Sequence, residues 1–114
     1  MTREELVQKI EELKKQKNAI VLAHYYSNPD VQDIADFLGG SFELSRKAGR
    51  ADADIIVFAG VHFMAETAAL ISPKKKVLVP ALGAGCTLAD GVCGENLAQW
   101  KAANPDGVVV SYVN

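Results

Sequence analysis

A chain of 114 residues with 49% hydrophobic content can bury one compact core and is too short for two. Its net charge of −2, with Lys and Arg spread along the chain, excludes a basic face for nucleic acid or membrane. Lys74-Lys75-Lys76 reads as a solvated turn. No apolar stretch reaches the roughly 20 residues that span a bilayer, and the acidic start Met1-Thr2-Arg3-Glu4-Glu5 is not a signal peptide, so a cytoplasmic location is expected.

Thr2 and Glu5 have capping-box spacing, and Leu6, Ile10 and Leu13 then recur at helical intervals. Lys14, Lys15 and Lys17 suit the negative end of that helix, with Asn18 as its predicted stop. Ala19 to Ala23 is an unbroken apolar run and reads as a strand covered on both faces. Asn28-Pro29 opens a second helix whose stripe is Val31, Ile34, Ala35 and Leu38, broken by Gly39-Gly40. Ser41 then caps a helix bearing Phe42, Leu44 and Ala48. Ile55 to Phe58 is a second strand, Phe63 to Ile71 a helix stopped by Ser72-Pro73, and Val77 to Val79 a third strand. Leu97, Trp100 and Ala103 mark a further helix, ended before Pro105, and Val108 to Ser111 a fourth strand.

Alternation of helices with strands that lack polar alternation predicts one α/β domain over residues 1–114, a three-layer αβα arrangement on a four-stranded parallel sheet. The chain stops at Asn114 directly after its last predicted strand, without a closing helix, which suggests a piece of something longer.

In a parallel sheet ligands bind beyond the carboxyl ends of the strands. The predicted strands deliver His24-Tyr25-Tyr26, Gly60-Val61-His62, the run Pro80 to Cys86, and Tyr112-Val113-Asn114 to that one edge. Each has a plainer reading. A histidine at a strand end is commonly structural, one of Tyr25 and Tyr26 is expected to pack while the other faces the edge, and Met64 and Phe63 read as core. Ser41 is explained as a cap, yet a helix start after a glycine pair also offers free N–H groups to a carboxylate. Cys86 and Cys93 are too few for a closed metal site, so further ligands would have to come from elsewhere.

The segments His24-Tyr25-Tyr26, Gln32 to Asp36, Gly40-Ser41, Ala59 to Thr67, Gly85 to Asp90 and Val109 to Asn114 closely resemble, in order and spacing, the N-terminal third of quinolinate synthases. The resemblance implies the first of three pseudo-symmetric α/β domains, each giving one cysteine to a [4Fe–4S] cluster. It assigns that ligand to Cys86 and not to Cys93. It also implies condensation of iminoaspartate with dihydroxyacetone phosphate to quinolinate in NAD biosynthesis, a transferase reaction, and functional coupling to L-aspartate oxidase. Within it, Tyr26 would be the general acid/base. His24 and Ser41 would seat carboxylates, and Tyr112, Val113 (by its backbone) and Asn114 would orient substrate. Gly40 departs from the acidic residue common in the family. The other two domains are missing from this chain, which alone is expected to be inactive. Two competing readings are a flavodoxin-like anion or phosphate-binding module without metal, and a thiol redox protein using Cys86 and Cys93. The second lacks C-x-x-C spacing.

Overall fold

The computed structural model describes residues 1–111. Its strands are β1 (Ala19–His24), β2 (Phe37–Gly39), β3 (Ile55–Ala59) and β4 (Lys76–Leu78). All pair in parallel, in the order β2-β1-β3-β4. The helices are α1 (Arg3–Lys17), α2 (Pro29–Asp33), α3 (Ser41–Arg50), α4 (His62–Ile71) and α5 (Gly94–Ala103).

The capping box forms as expected: Glu5 N–H donates to Thr2 Oγ1 at 3.2 Å, and Thr2 N–H to Glu5 Oε2 at 2.8 Å. Asn18 ends α1 in the left-handed region, φ 47° and ψ 54°, which asparagine tolerates better than most residues. The half-buried face of α1 is Val7, Ile10, Glu11 and Lys14, rotated from the expected Leu6, Ile10 and Leu13. That rotation brings Lys14 to Asp36 at 2.9 Å and Glu11 at 2.8 Å. Burial alone would lower the Lys14 pKa, but the two carboxylates outweigh it and hold it raised.

The second predicted helix is shorter than its stripe implies. α2 stops at Asp33, and Phe37–Gly39, expected as helix end, is the edge strand β2. Tertiary pairing decides this. Asp36 N–H donates to the Val21 carbonyl at 2.8 Å, and its Oδ2 accepts from Val21 N–H at 2.7 Å, so the chain is clipped to β1 before a further helical turn can form. Helical spacing of Val31, Ile34, Ala35 and Leu38 is a weaker force than that ladder.

The core lies between one face of the sheet and α3 with α4: Leu22, Ile56 and Phe58 meet Leu44, Ala48, Met64, Ala65 and Ala68. Alternation turns Val21 and Ala23 to the opposite face, where α1 and α2 contact β1 and both residues are buried. Phe42, expected in the α3 stripe, is exposed. The Lys75 ammonium donates to the carbonyls of Ala48 and Ala51, tying off the C-terminal end of α3.

The predicted strand at Val108 to Ser111 is not one: residues 108–110 carry no regular structure and lie exposed. β-branched composition alone does not make a strand; residues 108–110 join no ladder among the described residues, and α5 buries no residue. The radius of gyration, 17.2 Å, accordingly exceeds the roughly 13 Å of a compact chain this long.

Leu22 is fully buried at the centre of the sheet. Leu22→Ala should cost about 3 kcal/mol of unfolding free energy, within the range for an aliphatic core truncation. Urea denaturation measures it; a loss below about 1 kcal/mol would place the core elsewhere.

Candidate active site at the carboxyl edge of the sheet

The register sets the strand ends level, with His24 opposite Gly39 and Ala23 opposite Ala59. The segments leaving β1, β2 and β3 therefore emerge along one line, and the loop after β4 closes it. The result is a cleft of about 1000 Å³ whose lining includes His24, Tyr25, Tyr26, Ser41, Met64 and Cys86.

His24 is the last residue of β1 and half-buried. Its Nδ1 accepts from Tyr26 N–H at 3.1 Å, which leaves the second ring nitrogen, Nε2, to carry the proton of the neutral imidazole. Burial pushes the His24 pKa below its usual value of 6.5. The chain then turns, with Ser27 N–H donating to the His24 carbonyl at 2.9 Å. Strand alternation ends there, so neither tyrosine packs inward. Tyr25 and Tyr26 are both exposed and both line the cleft.

Ser41 reaches the cleft because the edge strand β2, which has no signal in the local sequence pattern, precedes it. It does not cap α3. Gly40 holds the cap position without a side-chain bond, and Ser41 is the first helical residue. Ser41 is 7% exposed, and its hydroxyl donates to the Met64 thioether at 3.3 Å; sulfur is a weak acceptor. Gly39, the last residue of β2, packs close to α3: a Cβ there would sit 3.0 Å from Glu43 Oε2, the movable end of a side chain. α4 likewise starts without a side-chain cap, behind Val61. Two helices thus begin at the cleft with their positive ends toward it.

Cys86 lines the cleft as a half-buried free thiol, and Cys93 is exposed and outside its lining. Only a 3₁₀ turn at Ala89–Gly91 separates them in regular structure. His62 stands apart from the lining; its N–H donates to the Ala84 carbonyl at 3.1 Å and its ring lies 3.3 Å from Glu66. Tyr112, Val113 and Asn114, expected to orient substrate, lie outside the described residues. Among the described residues no three His, Cys, Asp or Glu side chains gather as a metal site, and no helix is long and apolar enough to cross a membrane.

Ser27, which sequence reasoning does not single out, also lines the cleft, and its hydroxyl donates to the Ala59 carbonyl at 2.9 Å, joining the ends of β1 and β3. Its position just past a strand end, adjoining a candidate tyrosine, is the available signal.

The lowered His24 pKa has a signed consequence. Between the folded value and the unfolded value near 6.5 the unfolded chain binds more protons. The contribution to stability is therefore complete above about pH 6.5 and falls as pH drops through that window. An NMR titration should place the His24 imidazole below 6.5; a value above it would contradict the burial.

Residues 8–114 match the family described as "NadA: Quinolinate synthetase A protein". The chain is 58% identical over 111 residues to the quinolinate synthase of Trichodesmium erythraeum (strain IMS101), covering 97% of this chain and 34% of that protein. It is 60% identical over 105 residues to the quinolinate synthase of Nostoc sp. (strain PCC 7120), covering 92% of this chain and 32% of that protein. It is 54% identical over 114 residues to the quinolinate synthase of Thermus thermophilus, covering all of this chain and 37% of that protein. The chain spans about a third of the length of the curated relatives it matches.

Proposed function

The chain belongs to the quinolinate synthetase A family, and from that premise we propose that its cleft is one wall of a quinolinate synthase active site. The observation that carries the reading is the gathering of His24, Tyr26, Ser41 and Cys86 around one cavity at the carboxyl edge of the sheet. The reaction proposed for the complete enzyme condenses iminoaspartate with dihydroxyacetone phosphate, releasing phosphate and water and leaving the aromatic ring of quinolinate for NAD biosynthesis. Two further domains of a family-length chain would supply the opposite walls, and coupling to L-aspartate oxidase would supply the unstable imine.

Iminoaspartate carries two carboxylates, and the cleft offers complementary donors. Neutral His24 presents an N–H from Nε2, with its tautomer held by the Tyr26 amide. Ser41 can exchange its weak bond to sulfur for a charge-assisted one to a carboxylate. Beside it the first N–H groups of α3, uncapped by any side chain, add the helix dipole. Tyr26, almost wholly exposed at the mouth, is assigned the proton transfers. Enolisation moves a proton at carbon, dehydration delivers one to a departing hydroxyl, and a phenol can do both in turn. Tyr112 and Asn114 complete substrate orientation in the proposal.

Cys86 suits a [4Fe–4S] cluster: its thiol is free, reaches the cleft, and follows Gly83-Ala84-Gly85, which put no bulk around it. This chain would thus contribute one thiolate, the remaining ligands coming from the rest of a family-length chain. When bound, a cluster with one iron free of protein ligands supplies Lewis acidity toward a substrate oxygen. One thiolate does not hold such a cluster, so the 114-residue chain alone is proposed to be inactive.

In the full-length enzyme, Tyr26→Phe should lower turnover by roughly two or more orders of magnitude while leaving iron content unchanged, the scale of a lost general acid/base. His24→Ala and Ser41→Ala should weaken iminoaspartate binding instead, and unchanged affinity would return both to structural roles.

Iron and sulfide analysis tests the ligand assignment. Cys86→Ala should abolish both with all quinolinate formation, and Cys93→Ala should preserve them. The reverse pattern would transfer the role to Cys93.

A further inference from the structure

Tyr26 presents a physical problem that the proposed mechanism leaves open. Its side chain is 94% exposed, and its ring meets the edge of His24 with centroids 4.8 Å apart. So little packing cannot by itself hold a phenol at a reacting atom, and a misplacement of about 1 Å can cost on the order of a hundredfold in rate. The backbone has to supply the precision.

We infer that Gln32 is a positioning residue for Tyr26, clamping the two peptide carbonyls that flank it; the inference rests on the reading of Tyr26 as the proton-transfer group. Gln32 Nε2 donates to the Tyr25 carbonyl at 3.0 Å and to the Ser27 carbonyl at 2.8 Å. A terminal amide carries two N–H groups on one nitrogen, which matches two acceptors and adds no charge. Between those anchors, Tyr26 N–H donates to His24 Nδ1. One residue further on, the Ser27 hydroxyl ties the turn to Ala59 at the end of β3.

The clamp is itself fixed. Gln32 N–H donates to the Asn28 carbonyl at 3.1 Å, and the Asn28 side chain caps α2 by accepting from Asp30 N–H at 2.9 Å. Immediately downstream, Asp36 locks onto Val21. The Gln32 amide therefore refers the tyrosine turn to the central strand from which the turn departs. Glutamate at this position would set an anion against two carbonyl oxygens, and an aliphatic side chain would leave both without this partner.

The test is a double-mutant cycle in the full-length enzyme, with Tyr26→Phe and Gln32→Met read singly and together. Gln32→Met should lower kcat about tenfold with KM changed less than about threefold, because orientation and not binding is lost. In the Tyr26→Phe background the same change should cost less than about twofold, since residues acting as a unit are not additive. A merely structural role would give the same factor in both backgrounds and would overturn the inference. So would full turnover in Gln32→Met. Near-normal turnover in Tyr26→Phe alone would instead sink the proton-transfer reading, which separates the two failures. Should Gln32→Met not fold, Gln32→Ala, neutral and still a helix former, is read in the same cycle against the same criteria.

Discussion

β1 is hydrogen-bonded in parallel on both flanks, to β2 and to β3, and the placement of His24, Tyr26 and Ser41 depends on that arrangement. Parallel pairing sends all strands out at the same edge. The register then decides how closely the segments beyond the strand ends can meet, and here the ends of β1, β2 and β3 are level. His24, Ser41 and the start of α4 come from segments distant in sequence and share a cleft because the ladder aligns them. Were β2 a continuation of α2, as the local pattern of apolar residues favours, Ser41 would have no such route to the cleft.

The two edges of the sheet do different work. At the amino edge Asn18 closes α1 and its side-chain amide donates to Asp54 at 3.1 Å, and among the described residues the buried Ser72 hydroxyl there is left without a hydrogen-bond partner. Lys75 serves the carbonyls ending α3, and Lys14 bridges to Asp36. At the carboxyl edge Asn28 caps α2 and Ser27 and Gln32 bond backbone carbonyls, but other groups are left with weak or no side-chain partners. α3 and α4 begin without side-chain caps, Ser41 turns to a sulfur atom, and the Cys86 thiol is free. A protein can satisfy helix ends when stability alone is at stake, so under-satisfied donors gathered at one cleft are what the proposed dicarboxylate substrate would require. A module that merely bound phosphate would draw on the same two helix ends, but it would leave His24, Tyr26 and Cys86 without a task.

Much of this is legible in the residues. Uninterrupted apolar runs mark β1 and β3, and capping chemistry marks both ends of α1. The principle that parallel strands share a ligand edge is enough to place His24, Tyr26 and Cys86 together before any coordinates. The illegible parts depend on partners distant in sequence. Phe37–Gly39 is too short to carry a strand signal and becomes a strand only through Asp36 binding Val21. Val108 to Val110 has the composition of a strand and no ladder to join among the described residues. Ser41 has the residue type of a cap, but a one-residue shift of the helix start makes it the first helical residue and frees its hydroxyl for the cleft wall. Gln32 carries no local signal either, because its role lies in reaching back over a turn.

The central claim is that this cleft seats the dicarboxylate substrate, and direct observation of the occupied site tests it best. In a crystal structure of the full-length enzyme with iminoaspartate or a stable dicarboxylate analogue, carboxylate oxygens should lie within hydrogen-bonding distance of His24 Nε2 and Ser41 Oγ. The Tyr26 hydroxyl should stand over the carbon skeleton. A ligand bound with its carboxylates held elsewhere, and with the Ser41 hydroxyl still turned to Met64, would contradict the account.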